Sequence, residues 1–461
     1  MLSTLLSLLT FCLVGFTAAP EAGSANSAGL RISFPVVKYK LENGLTVLLQ
    51  EDHSVPMISY HTWYRVGSRD EQPGVTGAAH MLEHMMFKGA KKYSGKDFDQ
   101  ILHENGITNN AFTSWDYTGF YENLPASKLE LMMDVEVDRM RFLALRAADL
   151  KSELEVVKEE RRWRVDNNPS GLLRETLFGM AFEKNPYRWP VIGTMQDITN
   201  YTPEKLRVFY DQYYVPNNAV LVLVGDLEIE KTKALIQKYY GQLKASPLPP
   251  RQYPQETPQL KPRRRIVKSD VQSPTVMLAY PGVASGHPDS FALDLLASVL
   301  GNGPSSHLNR KLVYNAQVAT SAGSYDQTNA DPGLFLATAS LKPGQNAGQA
   351  EKMLHQEVMR LKTAPLLTKE LDKAKNQLMK DFVEGLTTID GKAQSLAVNE
   401  IIYGSYEKLF TDLEKYEAVT VADLSRVAKE YLKSERENVA ILLPNGPRKG
   451  RAGNGSQEGA E

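Results

Sequence analysis

The chain has 461 residues, of which 42% are hydrophobic and 23% are charged, and its formal net charge is −1. This length is sufficient to bury more than one hydrophobic core and predicts two to three domains. The nearly balanced charge argues against a nucleic-acid partner, because nucleic-acid binding relies on cationic contacts to the phosphates.

The N-terminal segment begins with an apolar run, residues 2–19, that ends in small residues. This pattern is typical of a secretory signal peptide, so we assign residues 1–30 to an export segment. The protein is then periplasmic or secreted, with no stable membrane insertion after cleavage. No Lys or Arg precedes Arg31, which leaves an uncleaved membrane anchor as the alternative. An Arg-rich mitochondrial transit peptide fits poorly. The only cysteine, Cys12, lies in this run, so the mature chain has no thiolate metal ligand.

The next part of the chain mixes strand and helix patterns. Apolar alternation, helical periodicity and turn residues predict the following elements: a hairpin over 37–52 that turns at Asn43-Gly44, a strand over 57–68, paired strands over 109–125, helices over 149–166 and 203–214, and a buried strand over 217–226. These elements predict a first domain over residues 33–244.

Six prolines fall within residues 245–262, and we interpret residues 245–264 as an extended interdomain linker. The basic triplet Arg263-Arg264-Arg265 is short and follows the prolines, so a solvated linker is a better interpretation than a nucleic-acid patch. A second domain is expected over residues 265–445. The tail, residues 446–461, has almost no apolar content and is expected to be disordered.

A motif of the form H-x-x-E-H occupies His80 to His84, inside an apolar stretch with helical character. The two imidazoles are one helical turn apart on the same face, and Glu83 lies beside them. This spacing suits two zinc ligands and a carboxylate that accepts the proton of a water molecule. Thr76 is the expected N-cap of this helix and Gly89 its expected C-terminal stop.

A third ligand must be a His, Asp or Glu from another element. The best source is the helical segment 152–163, where Glu153 and Glu160 lie two turns apart and share a face. Periodicity alone does not decide whether either glutamate is a metal ligand, because a helical segment rich in Glu, Lys and Arg usually just faces solvent.

A faint internal repeat relates residues 201–224 to residues 419–443, both in the order helix then strand. Each half of the chain is therefore expected to be one copy of an α+β unit. Alignment of the two copies through Gly89 and Gly303 gives these pairs: His80 with Asp294, Glu83 with Ala297, and His84 with Ser298. The second copy is thus expected not to bind the metal.

The motif with its flanks, residues 66–89, resembles the M16 family of metallopeptidases, the group of pitrilysin, insulin-degrading enzyme and mitochondrial processing peptidase. Further segments add to the resemblance, which covers about residues 35–445 in order: 110–122, 155–162, 185–194 and 214–226. Two homologous halves match the bacterial M16B subgroup. The resemblance implies an α+β fold of two homologous α/β-sandwich domains that enclose a chamber.

The resemblance also implies a zinc endopeptidase site. In the family, Zn²⁺ is held by the positions of His80, His84 and Glu160, and the position of Glu83 is the general base. A further glutamate, at the position of Glu153, orients a ligand. The family's substrate-binding edge strand, to which an extended peptide adds as a further β-strand, corresponds to Asn109, Asn110, Ala111, Phe112 and Thr113. From the residues alone, an ordinary strand is an equally good interpretation of this segment.

The chain departs from the family in its second half. Single-chain-competent members have an Arg and a Tyr in a pattern like L-R-x-x-x-G-x-A-Y-S, and here Val313 and Thr320 occupy those positions. We therefore expect a partner subunit of the same family that supplies the Arg/Tyr pair and lacks the zinc motif. The alternatives are a non-catalytic structural subunit, like the core proteins of respiratory complex III, and a zinc hydrolase of non-peptide substrates. Tyr314 and His307 are nearby, but nothing in the sequence indicates that they substitute.

Overall fold

The protein is described by a computed structural model over residues 32–445. The predicted export segment, residues 1–30, and the predicted tail, residues 446–461, lie outside the described residues. No helix within 32–445 is long and apolar enough to cross a membrane.

Eleven strands occur within the described range and form two sheets. They are β1 (Val37–Lys40), β2 (Thr46–Glu51), β3 (Met57–Tyr64), β4 (Thr108–Thr113), β5 (Thr118–Pro125), β6 (Ala219–Gly225), β7 (Arg263–Ser269), β8 (Thr275–Pro281), β9 (Ala319–Gln327), β10 (Leu334–Leu341) and β11 (Asn438–Pro444).

Fourteen α-helices occur in the same residues. They are α1 (Ala78–Met85), α2 (Gly95–Glu104), α3 (Leu129–Phe142), α4 (Ala147–Arg161), α5 (Pro169–Ala181), α6 (Met195–Thr199), α7 (Pro203–Tyr213), α8 (Ile229–Tyr240), α9 (Ser290–Gly301), α10 (Ala347–Thr363), α11 (Thr368–Gly385), α12 (Ile389–Tyr403), α13 (Lys408–Ala418) and α14 (Val421–Tyr431). Two π-helical segments follow α4 and precede β9, at Arg162–Asp166 and Asn309–Asn315.

The two sheets have the same topology. The first sheet has the order β1-β2-β6-β3-β5-β4, and the second has the order β7-β11-β8-β10-β9. In each sheet one pair is parallel, β2 with β6 and β7 with β11, and the other pairs are antiparallel. Without β1, the first sheet matches the second strand for strand, in the same chain order. The predicted α+β fold with two homologous halves is therefore confirmed.

Helices of each half bury an apolar face against one side of that half's sheet. The first core contains the inward side chains of β2, β3, β5 and β6 with α1, α3 and α7, and the second core repeats this arrangement with α9, α10 and α14. Strand β6 is buried along its whole length, because helices cover both faces of the first sheet. This explains its continuous apolar sequence, which is typical of strands without a solvent-facing side.

The outer face of each sheet is covered by a helix from the other half. Helix α12 packs on β3 and β6 of the first sheet, and α5 packs on β7, β8 and β11 of the second. Leu173, Leu177 and Phe178 of α5 are buried against Met277 and other residues of the second sheet. Each fully buried side chain of this size contributes roughly 1.5–3 kcal/mol. Through this reciprocal exchange, residues 33–445 form one compact unit.

The predicted linker is only partly extended chain. Residues 245–262 contain neither helix nor strand, and the segment is fixed to the first half, since Tyr253 donates to Asp70 (2.6 Å) and Glu256 accepts two backbone N–H groups. The basic triplet is not a solvated linker, because Arg263 begins β7. Its guanidinium donates to the carbonyl of Met180 (2.8 Å) at the end of α5. A charged strand at a sheet edge protects that edge from pairing with other chains.

Candidate metal centre

Helix α1 carries the H-x-x-E-H motif and is held at its N-terminus by a buried acid. The carboxylate of Glu71 accepts from the backbone N–H groups of Gly77 (2.7 Å) and Ala79 (2.9 Å). Thr76, the expected N-cap, instead donates its hydroxyl to the carboxylate of Asp197 (2.6 Å). Gly77 is the N-cap residue. Gly77 has φ +88, and a Cβ atom there would lie 2.3 Å from a backbone oxygen, so only glycine fits.

His80, His84 and Glu160 come together between α1 and α4. One ligand atom from each lies within 4.8 Å of the others, and this is the only such group within residues 32–445. Oε2 of Glu160 is 3.6 Å from Nε2 of His80 and 3.2 Å from Nε2 of His84. The sequence brings them together because the two histidines occupy one face of α1 and α4 packs against that face.

The donor set fits a zinc ion. Two imidazole nitrogens and one carboxylate oxygen are typical zinc ligands, and three protein ligands leave a position open for water. Oε2 of Glu160 is buried and has no hydrogen-bond partner of good geometry in the described part of the chain. A buried oxygen left in this way is costly unless something else satisfies it. A cation between the three side chains would satisfy it.

Further charged side chains contact the candidate ligands His84 and Glu160. Nδ1 of His84 donates to Oε1 of Glu153 (2.8 Å), which leaves the lone pair of Nε2 directed at Glu160 when the ring is neutral. Glu153 also pairs with Lys88 (2.6 Å), and Oε1 of Glu160 pairs with Arg164 (2.8 Å). In contrast, Nδ1 of His80 is buried and has no partner among residues 32–445.

These contacts change the proton affinities of the cluster without metal. Burial opposes protonation of His84, but the carboxylates of Glu153 and Glu160 overcome it and raise the pKa of His84 to about 9. Burial by itself would raise the pKa of Glu160, but its contacts with the two imidazoles lower that pKa far below the usual range. The cluster therefore holds a proton on His84 at neutral pH, and a metal ion must displace that proton.

Glu83 lies beside the cluster and contacts the edge of the first sheet. It lines the same cavity as His80 and His84, and its Oε2 accepts a hydrogen bond from Oγ1 of Thr113 at the end of β4. Ionised Glu83 can accept a proton on its other carboxylate oxygen. The hydrogen bond to Thr113 fixes its orientation toward the cavity.

Strand β4 forms one edge of the first sheet, paired with β5 on one side only. Its outer backbone groups are thus available for another strand. The metal-site cavity, about 530 Å³, is lined by the candidate ligands, Glu83, Glu153 and four of the five predicted strand residues: Asn110, Ala111, Phe112 and Thr113. Asn109 belongs to β4 but does not line this cavity.

A second cavity of about 350 Å³ adjoins the first, and both are lined by Thr113, Arg164, Val191 and Ile192. Its wall is mainly apolar and aromatic, formed by Trp115, Val165, Phe178, Trp189 and Pro190. The position next to the edge strand suits an apolar side chain of a bound peptide.

The second half lacks the metal ligands at the equivalent place. Helix α9 carries Asp294, Ala297 and Ser298, and Asp294 accepts a hydrogen bond from Tyr416 (2.6 Å). Val313 packs against the second core, and Oγ1 of Thr320 donates to a backbone carbonyl (3.1 Å). Neither side chain can supply a cation or a phenol.

Lys88, Arg164 and the bond from Thr113 to Glu83 were not predicted from the sequence. Arg164 follows Glu160 by four residues, so the rule for neighbours one helical turn apart could have found it, whereas Lys88 pairs with Glu153 on another helix. No local signal connects Thr113 with Glu83, since the two lie on different elements. His307 and Tyr314 do not line the metal-site cavity.

Known families match both halves of the chain. The model described as insulinase (peptidase family M16) matches residues 46–195, and the model described as the peptidase M16 inactive domain matches residues 200–378. The zinc protease PqqE of Helicobacter pylori is 35% identical over 416 residues, which cover 88% of this chain and 92% of that protein. An uncharacterised zinc protease of Streptomyces coelicolor is 28% identical over 411 residues, or 88% of each chain.

Solved structures share the fold. The crystal structure of a protease from Helicobacter pylori has a TM-score of 0.84 at 33% identity and covers 89% of this chain and 100% of that one. A peptidase M16 inactive domain from Pseudomonas fluorescens has a TM-score of 0.81 at 19% identity, over 89% of this chain and 98% of that one. At the lower identity the likeness concerns the fold alone.

Proposed function

This chain belongs to peptidase family M16, and from that premise we propose that it is a zinc-dependent endopeptidase of peptides or small unfolded polypeptides. The observation that carries the proposal is the convergence of His80, His84 and Glu160, with Glu83 beside them at an open strand edge. Relatives named zinc proteases support the metal and the reaction class.

In the proposed reaction, His80, His84 and Glu160 hold the zinc ion. When bound, zinc supplies a Lewis acid that makes water nucleophilic near neutral pH and polarises a carbonyl group. Glu83 takes the proton of the attacking water on its free carboxylate oxygen and later delivers it to the leaving amine. Thr113 holds the other oxygen of Glu83, and Glu153 keeps His84 in the orientation and tautomer that binding requires.

The substrate is proposed to bind as an extended strand along β4. Main-chain hydrogen bonds to Asn109–Thr113 would fix its register and tolerate many sequences, because they do not involve side chains. The apolar cavity next to Thr113 would accept a substrate side chain, so peptides with a large apolar residue near the scissile bond are expected to be preferred.

We further propose that the zinc-bearing chain works with a partner subunit. Val313 and Thr320 supply neither of the groups that stabilise the developing negative charge, and the loss of one such donor typically costs about 10²–10³ in rate. A partner of the same family with an Arg/Tyr pair and no zinc motif would restore them. The same two residues favour a second candidate, a non-catalytic subunit, and the activity of the isolated chain distinguishes the two.

Export to the periplasm or the exterior is also part of the proposal, and it rests on the apolar run at residues 2–19. Fractionation of cells, with N-terminal sequencing of the mature chain, tests it. A mature chain that begins within the small-residue stretch before Arg31 is expected. An intact N-terminus in the cytoplasmic fraction would contradict export.

The decisive experiment compares the chain purified alone with the chain purified with its native partners. Both preparations are incubated with unstructured peptides of ~10–40 residues, a length suited to extended strand binding. We expect cleavage by the partnered form, loss of cleavage with a chelator, and recovery with stoichiometric zinc. Full activity of the lone chain would refute the partner requirement. Absence of activity in the partnered, zinc-loaded form would refute the peptidase and favour the structural subunit.

A further inference from the structure

The strand-for-strand match of the two sheets places α9 where α1 lies and α11 where α4 lies. As α4 packs on α1 in the first half, α11 packs on α9 in the second. A cavity of about 550 Å³ opens at this place, close in size to the metal-site cavity of about 530 Å³. We call it the counterpart cavity. Its wall includes Ser298, the residue aligned with His84, and Ala374 of α11.

The lining of the counterpart cavity is more cationic than that of the metal-site cavity. Three carboxylates, from Glu83, Glu153 and Glu160, and two cations, from Lys88 and Arg164, line the metal-site cavity. The counterpart cavity has three cationic side chains, Arg310, Lys369 and Lys373, and one carboxylate, Glu370. With a neutral histidine, the formal charge of its lining is 3 − 1 = +2.

The single carboxylate of the counterpart cavity, that of Glu370, already has hydrogen-bond partners. Oε1 of Glu370 accepts from Nε2 of His307 (3.0 Å) and lies 3.4 Å from Nη2 of Arg310, while Oε2 accepts from the backbone N–H of Leu367 (3.2 Å). These contacts leave little of its charge for other cations. Glu370 therefore fixes His307 and Arg310 in the wall of the cavity.

The two lysines lack acidic partners. They are one turn apart on α11, and neither is within ion-pair distance of a carboxylate in the described part of the chain. Nζ of Lys373 donates to Oγ of Ser305 (2.6 Å) in the loop after α9. Two like charges at this spacing destabilise a helix slightly, so an anion between them would be stabilising.

His307 forms a buried part of the cavity wall. Its side chain is only 9% exposed, and its Nε2 donates to Glu370, so its Nδ1, which has no hydrogen-bond partner among residues 32–445, is an acceptor. A water molecule can satisfy that nitrogen, whereas the three cationic side chains are the groups that would contact an anion.

We propose that the counterpart cavity binds an oxyanion group, a carboxylate or a phosphate, of a small molecule or peptide. Lysine and arginine form strong charge-assisted hydrogen bonds with both groups. The volume is in the range that holds a small ligand. In this account, duplication of the fold kept the cavity and changed its ligand from a cation to an anion. The proposal does not depend on the peptidase activity.

The test is calorimetric titration of the zinc-loaded full chain at low ionic strength. The probes are inorganic phosphate, N-acetylphenylalanine, and N-acetylphenylalanine amide, which lacks the carboxylate. The variant is the double substitution Lys369→Gln with Lys373→Gln. The matched control is Lys352→Gln with Lys380→Gln, which removes the same charge from two exposed lysines outside the cavity.

We expect the wild type and the matched control to bind phosphate or the acid but not the amide, and the Lys369/Lys373 variant to bind at least about tenfold more weakly. Comparison of the titrations with phosphate and with N-acetylphenylalanine identifies which oxyanion the cavity binds. Equal binding by the variant and the control, or no binding of either anion by the wild type, would overturn the proposal. Binding that is lost in Glu160→Gln but kept in the Lys369/Lys373 variant would place the anion at the metal site and also overturn it.

Discussion

Replacement of Glu153 tests how far the structure explains metal affinity, because this residue contacts His84 and is not one of the three candidate ligands. Its bond with Nδ1 of His84 is 2.8 Å long and joins a carboxylate to an imidazole. A hydrogen bond to a charged group contributes roughly 1.5–3 kcal/mol, and about 1.4 kcal/mol is tenfold in affinity. At a pH above 9, where His84 is neutral in both proteins, Glu153→Ala is therefore expected to weaken zinc binding about 10- to 100-fold, the range usual for groups that orient a metal ligand.

Glu153→Gln separates charge from geometry, since the amide oxygen can still accept from His84. Its expected loss is near the lower end of the same range, about tenfold. Affinity is measured by competition with a chromophoric chelator, and Glu155→Gln is the control. Glu155 lies on the same helix, is exposed and pairs with Lys158 (2.8 Å). If Glu153→Ala bound zinc as tightly as the control does, the proposed role of the Glu153–His84 bond would be refuted.

The same variants have a pH signature. In the metal-free protein the pKa of His84 is raised to about 9, so a proton occupies the ligand below that pH. Zinc affinity is expected to fall about tenfold per pH unit as the pH drops below 9, because one proton competes with the metal. Loss of the carboxylate of Glu153 lowers the pKa of His84. The fall in affinity should then begin at lower pH, as histidine NMR titration and the chelator assay can both detect.

Three further predictions concern the third ligand, the second half and the helix exchange. Glu160→Gln should abolish stoichiometric zinc binding, measured by metal analysis. The control Glu159→Gln, at the exposed neighbouring position, should still bind zinc. If both variants retained zinc, Glu160 would be excluded as a ligand. Burial raises the pKa of Asp294 to about 6, so the stability that its neutral form contributes is present below pH 3.8 and is lost as the pH rises through 6. Asp294→Asn should therefore raise the free energy of unfolding at pH 8 by up to about 3 kcal/mol and change little at pH 4, and equal effects at both pH values would contradict this. Leu177→Ala, in α5, should lower the free energy of unfolding by about 2–5 kcal/mol in a single transition, and separate unfolding of the two halves would contradict the reciprocal packing.

Much of the fold could be predicted because its signals are local. The turn at Asn43-Gly44, the strand-forming composition of β3 and the apolar run of β6 each appear within a few residues. The repeat in helix and strand order indicated two homologous halves, and the equal topology of the sheets confirms it.

The rest depends on contacts between residues far apart in the chain. The local sequences of α5 and α12 have only weak amphipathic patterns and do not show that each helix covers the other half's sheet. The assignment of Arg263 to the linker was wrong because its strand exists only through parallel pairing with β11, about 170 residues later. Within the site, the H-x-x-E-H spacing is local, whereas the bond from Thr113 to Glu83 requires the packing of α1 on β4.

The most direct test of the central claim is Glu83→Gln in the preparation in which the wild type is active. The variant keeps a side-chain oxygen for Thr113 and leaves the three ligands unchanged, so it should bind one zinc ion per chain with wild-type affinity. Its rate of peptide hydrolysis should fall about 10²–10⁴-fold, the usual contribution of a general base. Glu104→Gln, an exposed glutamate on α2, should retain full activity. Hydrolysis by Glu83→Gln at the wild-type rate, with zinc bound, would contradict the account.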